Sequence, residues 1–218
     1  MNLLYFLSKD KIDSLGYETV YLEKPMSNLI DFNWKNILNS PPKNLSNTTE
    51  RELKIVSNAT KNRSKKDIEL VYGIDKDMDT PFKNLLKKYN LKYPSNYINL
   101  FYDVVRPLII NTKNYWNRPR PKQLAKYYNL DINVILTDTH HTAAYPSGHT
   151  AYSSLVAKIL KNVFPQIDQK ELDAIVLQTA EARVLQGVHY PSDNKASLAF
   201  TDVVFKKLNP KLRRHYND

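Results

Sequence analysis

Only four of the 218 residues are glycine, and the stretches between them are rich in Leu, Ile, Lys and Asn. So few glycines leave little scope for many tight hairpins, and such stretches favour helices over a β-sandwich. A hydrophobic content of 42% over this length suits one domain with a substantial core. Apolar spacing predicts a helix over Asn28–Leu38, carrying Leu29, Ile30, Phe32 and Ile37. A second runs from Thr48 to about Asn58 with Leu53, Ile55 and Val56 buried, and a third over Asp67–Ile74. Asp79-Thr80-Pro81 starts the next, to Leu91, with a cap and an early proline. Ser95–Lys113 should bend at Pro107. Thr150–Phe164 reads as an amphipathic helix, followed by Asp168–Gly187 and by a last helix from Pro191 with Leu198, Phe200, Val203, Val204 and Leu208 as its apolar positions. The expectation is an all-α, single-domain helical bundle.

Charge narrows the partners. The formal net charge is +10, which attracts phosphate esters, nucleic acid or an anionic membrane surface. The commonest meaning of such a surplus is a solvated surface, and the basic cluster Lys61–Lys66 is read that way; nucleic acid is not expected as a partner. There is no cysteine, which excludes disulfides, thiolate catalysis and cysteine-based zinc sites. The apolar run Leu3-Leu4-Tyr5-Phe6-Leu7 is too short for an export signal or a membrane span. The expectation is a cytoplasmic protein with no transmembrane segment; a homodimer is left open.

Three clusters share one chemical theme. Asn117-Arg118-Pro119-Arg120-Pro121 cannot continue a helix, and its two prolines hold two arginines in an extended segment near Lys113. Pro146-Ser147-Gly148-His149 is a tight turn feeding a helix, whose free N–H groups and dipole favour an anion. Gly148 lets that anion approach the backbone closely. Arg183 falls on the inward stripe with Leu172, Ile175, Val176 and Thr179, where a charge is costly unless it meets an anion. Gly187 suits the helix end, and His189 and Asp193 follow it. Cations, backbone donors and two histidines in this pattern suit binding and proton transfer at a tetrahedral oxyanion. Each residue also has a plainer reading: a surface Lys113, a loop Arg120, an Arg183 in a buried ion pair, a structural His189–Asp193 bond.

Lys113-(six residues)-Arg120-Pro121, Pro146-Ser147-Gly148-His149 and Arg183-(five residues)-His189-(three residues)-Asp193 resemble, in order and spacing, the three-part signature of the type 2 phosphatidic acid phosphatase superfamily. That group includes class A bacterial acid phosphatases and vanadium-dependent haloperoxidases. The resemblance covers Lys113 to Asp193. It divides the chain into 1–95, a helical part without motif, 96–208, the catalytic helices and loops, and 209–218, a basic frayed tail. Two positions depart from the pattern. Ala182 stands where a serine usually precedes the arginine, and Lys122 stands where acid phosphatases often carry an aromatic residue.

The resemblance implies that His189 attacks phosphorus to form a phosphohistidine. Asp193 would fix its tautomer, and His149 would protonate the leaving oxygen and then activate water. Lys113, Arg120, Arg183, the Ser147 hydroxyl and the Gly148 N–H would hold the equatorial oxygens, with no metal and no cofactor. The expected activity is an acid-phosphatase-like hydrolysis of phosphomonoesters, on a phosphorylated small-molecule substrate. One alternative is a haloperoxidase holding vanadate on His189. Another is a non-catalytic module binding anions or nucleic acid. Arg118 is expected to pair with a carboxylate or to contact a second part of the substrate. His140 and His141 are expected on the loop surface, and Tyr145, Tyr115 and Trp116 in the core.

Overall fold

The computed structural model describes residues 9–17 and 36–217, the last few of these as backbone only. The run at Met1–Ser8 and most of the helix expected over Asn28–Leu38 lie outside the described residues. Elsewhere the architecture is helical, as expected. The elements are α1 (Lys9–Asp13), α2 (Asn47–Asn62), α3 (Lys65–Lys76), α4 (Thr80–Lys88), α5 (Ser95–Trp116), α6 (Pro121–Ala125), α7 (Gly148–Val163), α8 (Gln169–Leu185) and α9 (Pro191–Asn217). No helix among the described residues is long and apolar enough to cross a membrane.

α7 is the axis of the fold, packed against α5, α8 and α9. It is buried on nearly every face, from His149 to Leu160, rather than on one stripe. The expected amphipathic pattern is absent because its polar positions are small hydroxyls with partners on neighbouring helices. Thr150 Oγ1 donates to Asn194 Oδ1 at 2.9 Å, Ser154 Oγ pairs with Thr201 Oγ1 at 2.7 Å, and Ser153 Oγ accepts from Thr179 at 3.2 Å. Paired hydroxyls can be buried at little cost. Leu155, Val156, Ile159 and Leu160 fill the main core with Phe101, Leu108 and Phe200.

A second core ties the first half of the chain to the loops around the site. Leu53 and Val56 of α2 pack with Leu124, Ile132, Ala144 and Tyr190. Ile55, expected inside, is 50% exposed because it points away from this face. For the same reason Leu198 and Val203 of α9 are exposed, while Phe200, Val204 and Leu208 are buried at helical spacing. Tyr115 is likewise exposed, Trp116 is partly buried against the core, and Tyr145 is buried.

The helix ends follow local chemistry. Ser64 and Asp67 form a reciprocal cap at the start of α3. Asp79 precedes α4 but does not cap it, because its carboxylate accepts from the phenols of Tyr93 and Tyr152 at 2.7 and 2.5 Å. α5 runs through Pro107 a turn beyond Lys113 and ends at Asn117, whose φ of 43° is left-handed. Gly187 follows α8 with φ 86°, and a Cβ there would lie 2.9 Å from Ile132 Cγ2. α9 continues through Pro210 to Asn217, so the expected frayed tail is helical. Leu53→Ala is expected to cost about 2–5 kcal/mol in urea unfolding, whereas Ile55→Ala should stay within about 0.5 kcal/mol. Equal costs would overturn the assignment of the inward face of α2.

Candidate active site

The three clusters converge on one cavity of about 630 Å³. Lys113, Arg120, Gly148, His149 and His189 line it. Ser147, Arg183 and Asp193 are buried behind that lining. α5 delivers Lys113 from its last turn, and the proline-locked segment before α6 delivers Arg120. The turn into α7 delivers Gly148 and His149. His189 stands between Gly187 and Pro191, at the junction of α8 and α9.

Hydrogen bonds fix the proton on His189. Arg120 Nη1 lies 2.8 Å from His189 Nε2, and a guanidinium can only donate. Nε2 is therefore the acceptor, and Nδ1 carries the proton, which it donates to Asp193 Oδ2 at 3.1 Å. Burial, reinforced by Arg120, Lys113 and Arg183, pushes the ring's pKa well below the ordinary histidine value. A neutral imidazole thus presents a lone pair toward the cavity.

Asp193 is held in turn. Its Oδ2 accepts the Tyr190 N–H at 2.9 Å, and its Oδ1 accepts Arg118 Nη1 at 2.6 Å. Arg118 Nη2 donates to Glu52 Oε2 at 3.1 Å, and its guanidinium lies 3.8 Å above the Tyr190 ring. Glu52 also accepts the Ser192 N–H at 2.6 Å and the Ser192 hydroxyl at 2.7 Å. Of the two roles expected for Arg118, pairing with carboxylates is the one observed. Burial pushes the Asp193 carboxyl up, and Arg118 and the Tyr190 N–H oppose it.

His149 has a different carboxylate. Its Nε2 lies 3.4 Å from Asp75 Oδ1 at the end of α3. The same oxygen accepts Arg183 Nη1 at 3.0 Å and the Thr139 hydroxyl at 2.5 Å. Arg183 thus realises the buried ion pair that was its plainer reading. Burial and then Arg183 push His149 down to about 4, while Asp75 pulls it up. Burial works against the Asp75 carboxylate, but His149, Thr139 and Arg183 hold it far below the ordinary carboxylate range.

The remaining cations are satisfied by carbonyls. Lys113 Nζ donates to Ala143 O at 2.7 Å, Arg120 Nε to Thr142 O at 2.8 Å and Arg120 Nη1 to Val188 O at 2.7 Å. Burial and then Arg120 push Lys113 well below its usual value. Burial and then Arg183 bring Arg120 to about 10. Ser147 caps α7, its Oγ 3.0 Å from Thr150 Oγ1, and its N–H donates to Asp193 O at 3.2 Å. A Cβ on Gly148 would come no nearer the protein than 3.9 Å, to Lys113 Cε, so it is the cavity that the missing side chain keeps open. His141, on an exposed loop, lines the rim of the cavity and the half-buried His140 lines a neighbouring one, their rings stacked at 5.0 Å.

Glu52 and Asp75 are the residues that sequence reasoning missed. Both are charges at i−4 or i+4 from buried apolar positions, Val56 and Val71 respectively, the pattern that singled out Arg183. Two outcomes test this geometry. In ¹⁵N NMR at pH 6, His189 is expected neutral with its proton on Nδ1; a charged ring would overturn the assignment. Arg118→Ala is expected to cost about 3–5 kcal/mol in urea unfolding, because it strands two buried carboxylates.

The family model described as PAP2 superfamily matches residues 97–206. The non-specific acid phosphatase of Salmonella typhi is 35% identical over 101 residues, 45% of this chain and 38% of that protein. The non-specific acid phosphatase of Salmonella typhimurium is 33% identical over 101 residues, with the same coverage. The matched stretch therefore spans 38% of the length of each relative. The crystal structure of the first transmembrane PAP2 type phosphatidylglycerolphosphate phosphatase from Bacillus subtilis shares the fold with a TM-score of 0.54 and 16% identity, over 78% of this chain and 89% of that one.

Proposed function

We propose, for a chain that belongs to the PAP2 superfamily, the hydrolysis of phosphomonoesters by attack of His189 on phosphorus. The observation that carries this reading is the pair of histidines facing one cationic cavity in different proton settings. His189 has its lone pair on Nε2 and its proton on Nδ1. His149 has a carboxylate beside its Nε2 that favours the charged ring.

The reaction follows from those settings. A phosphate group enters between Lys113, Arg120 and the start of α7, and takes over the donors that Nε2 and the carbonyls hold in the free site. The Nε2 lone pair forms the N–P bond as the ester P–O bond breaks. The leaving oxygen takes the proton from His149. The imidazolium of phosphohistidine keeps Nδ1–H on Asp193, whose charge stabilises it. His149, now neutral, removes a proton from water as the water oxygen attacks phosphorus. The N–P bond breaks, and inorganic phosphate leaves. Lys113, Arg120 and Arg183 offset the charge on the equatorial oxygens, so added metal is not expected to be required.

The purified protein should release phosphate from an aryl phosphate in the presence of a chelator. His189→Ala should abolish turnover, and His149→Ala should lower it about 10²–10⁴-fold. Turnover that survives in His189→Ala would sink the phosphohistidine reading. The pH profile has a defined sign. The acid must be protonated, and His149 in the free site loses its proton as pH rises through about 4. The rate parameter kcat/KM, which reports the free enzyme, should therefore fall as pH climbs from about 4 toward neutrality. Arg183 of α8 and Arg120 hold His149 down, while Asp75 of α3 holds it up. Asp75→Asn should move the falling limb to lower pH.

A further inference from the structure

Asp75 Oδ1 sits where three groups converge: Arg183 Nη1 at 3.0 Å, the Thr139 hydroxyl at 2.5 Å and His149 Nε2 at 3.4 Å. A guanidinium and an imidazole beside one anionic oxygen are the partners that a phosphate oxygen would take there, while the Thr139 hydroxyl serves to hold Asp75. The cavity wall at this point is Asp75 and Thr139, and Arg183, 1% exposed, stands behind them. Arg183 Nε is also buried with no hydrogen-bond partner, so the guanidinium has donor capacity that the carboxylate does not fill. Neither Glu52 nor Asp193 occupies such a place, since neither lines the cavity.

We propose that Asp75 is an internal stand-in for the substrate's phosphate, holding Arg183 and His149 in position until an incoming phosphate oxygen displaces it from Arg183. This rests on the reading that the cavity takes a phosphate group. Asp75 then sets the affinity of the site: each phosphate that binds must break the bonds Asp75 makes to Arg183 and Thr139, and each product that leaves is helped out by the carboxylate returning. Asp75 is a positioning residue that acts through Arg183 and His149, and it lowers the site's affinity for substrate and product phosphate alike rather than assisting capture.

The two possible roles predict opposite signs. If Asp75 only orients Arg183, its loss weakens anion binding. If it competes with phosphate, its loss strengthens it. The test is the Kd of inorganic phosphate, by calorimetry, for the wild-type protein, Asp75→Asn and Thr139→Val, with turnover of an aryl phosphate measured alongside. Asp75→Asn should bind phosphate about tenfold tighter or more, the size of one charged hydrogen bond no longer broken. Its KM should fall, while its kcat falls through the loss of support for His149. Thr139→Val removes a bond that holds Asp75 and leaves the charge in place, so it should also tighten phosphate binding, by a smaller factor. Weaker or unchanged binding in a folded Asp75→Asn overturns the proposal. Tighter binding in Asp75→Asn with weaker or unchanged binding in Thr139→Val overturns it as well, because loss of the charge alone would then account for the gain. If the wild-type protein neither binds phosphate nor turns over the ester, the phosphatase reading fails and the proposal with it. Binding and turnover by the wild type with no gain in either variant leaves that reading standing and removes the proposal alone.

Discussion

Four buried cations set the terms for the rest of this structure. Lys113, Arg118, Arg120 and Arg183 are each no more than 6% exposed, and they lie within one region of the fold. Removing such groups from water costs several kcal/mol per ion unless partners replace the lost hydration. Three carboxylates, Glu52, Asp75 and Asp193, and the carbonyls of Thr142, Ala143 and Val188 supply that replacement. Cations and dipoles remain in excess of carboxylates at the cavity face. Burial first, and that excess after it, hold His149, His189 and Lys113 below their usual values, and the excess is what a phosphate dianion would relieve.

The same constraint explains why the half of the chain without a motif is part of the site. α2 and α3 pack through Leu53, Val56, Val71 and Ile74 into the secondary cores. Each helix carries one carboxylate inward beside those residues. Glu52 compensates Arg118, and through Ser192 it also fixes the start of α9, where Asp193 lies. Asp75 compensates Arg183 and faces His149. The helices that bury apolar surface are thus also the ones that bring the compensating charge, and neither job can be moved without the other.

Much of this was legible in the sequence because it depends on local spacing. The turn at Pro146–Gly148, the proline lock around Arg118 and Arg120, and the inward placement of Arg183 follow from neighbours within a few residues. The helix ends at Asn117 and Asp79 were less legible, since they depend on a left-handed asparagine and on two tyrosines brought from elsewhere. Glu52 and Asp75 lie 66 and 108 residues from the arginines they bind. No local rule joins such pairs. The available signal was indirect: a carboxylate beside an apolar stripe has to find a cation, and the chain has few buried cations to offer. α7 misled in the opposite direction, because hydroxyls that look solvent-facing in sequence become buried once facing helices supply partners.

The two histidines are supported in unequal ways, and the inequality matches the tasks proposed for them. The carboxylate behind His189 is bound on both oxygens, by Arg118 on one and by His189 and the Tyr190 N–H on the other. A nucleophile gains from such a setting, since its tautomer and direction should not change during the cycle. The carboxylate beside His149 has its contacts gathered on one oxygen, shared among an arginine, a hydroxyl and the ring. A proton donor that must also accept needs a setting whose charge balance can shift as the ligand comes and goes. Placing Asp193 in the rigid network at the start of α9, and Asp75 at the last turn of α3 against the cavity, gives one histidine a fixed environment and the other an adjustable one within the same pool of buried charge.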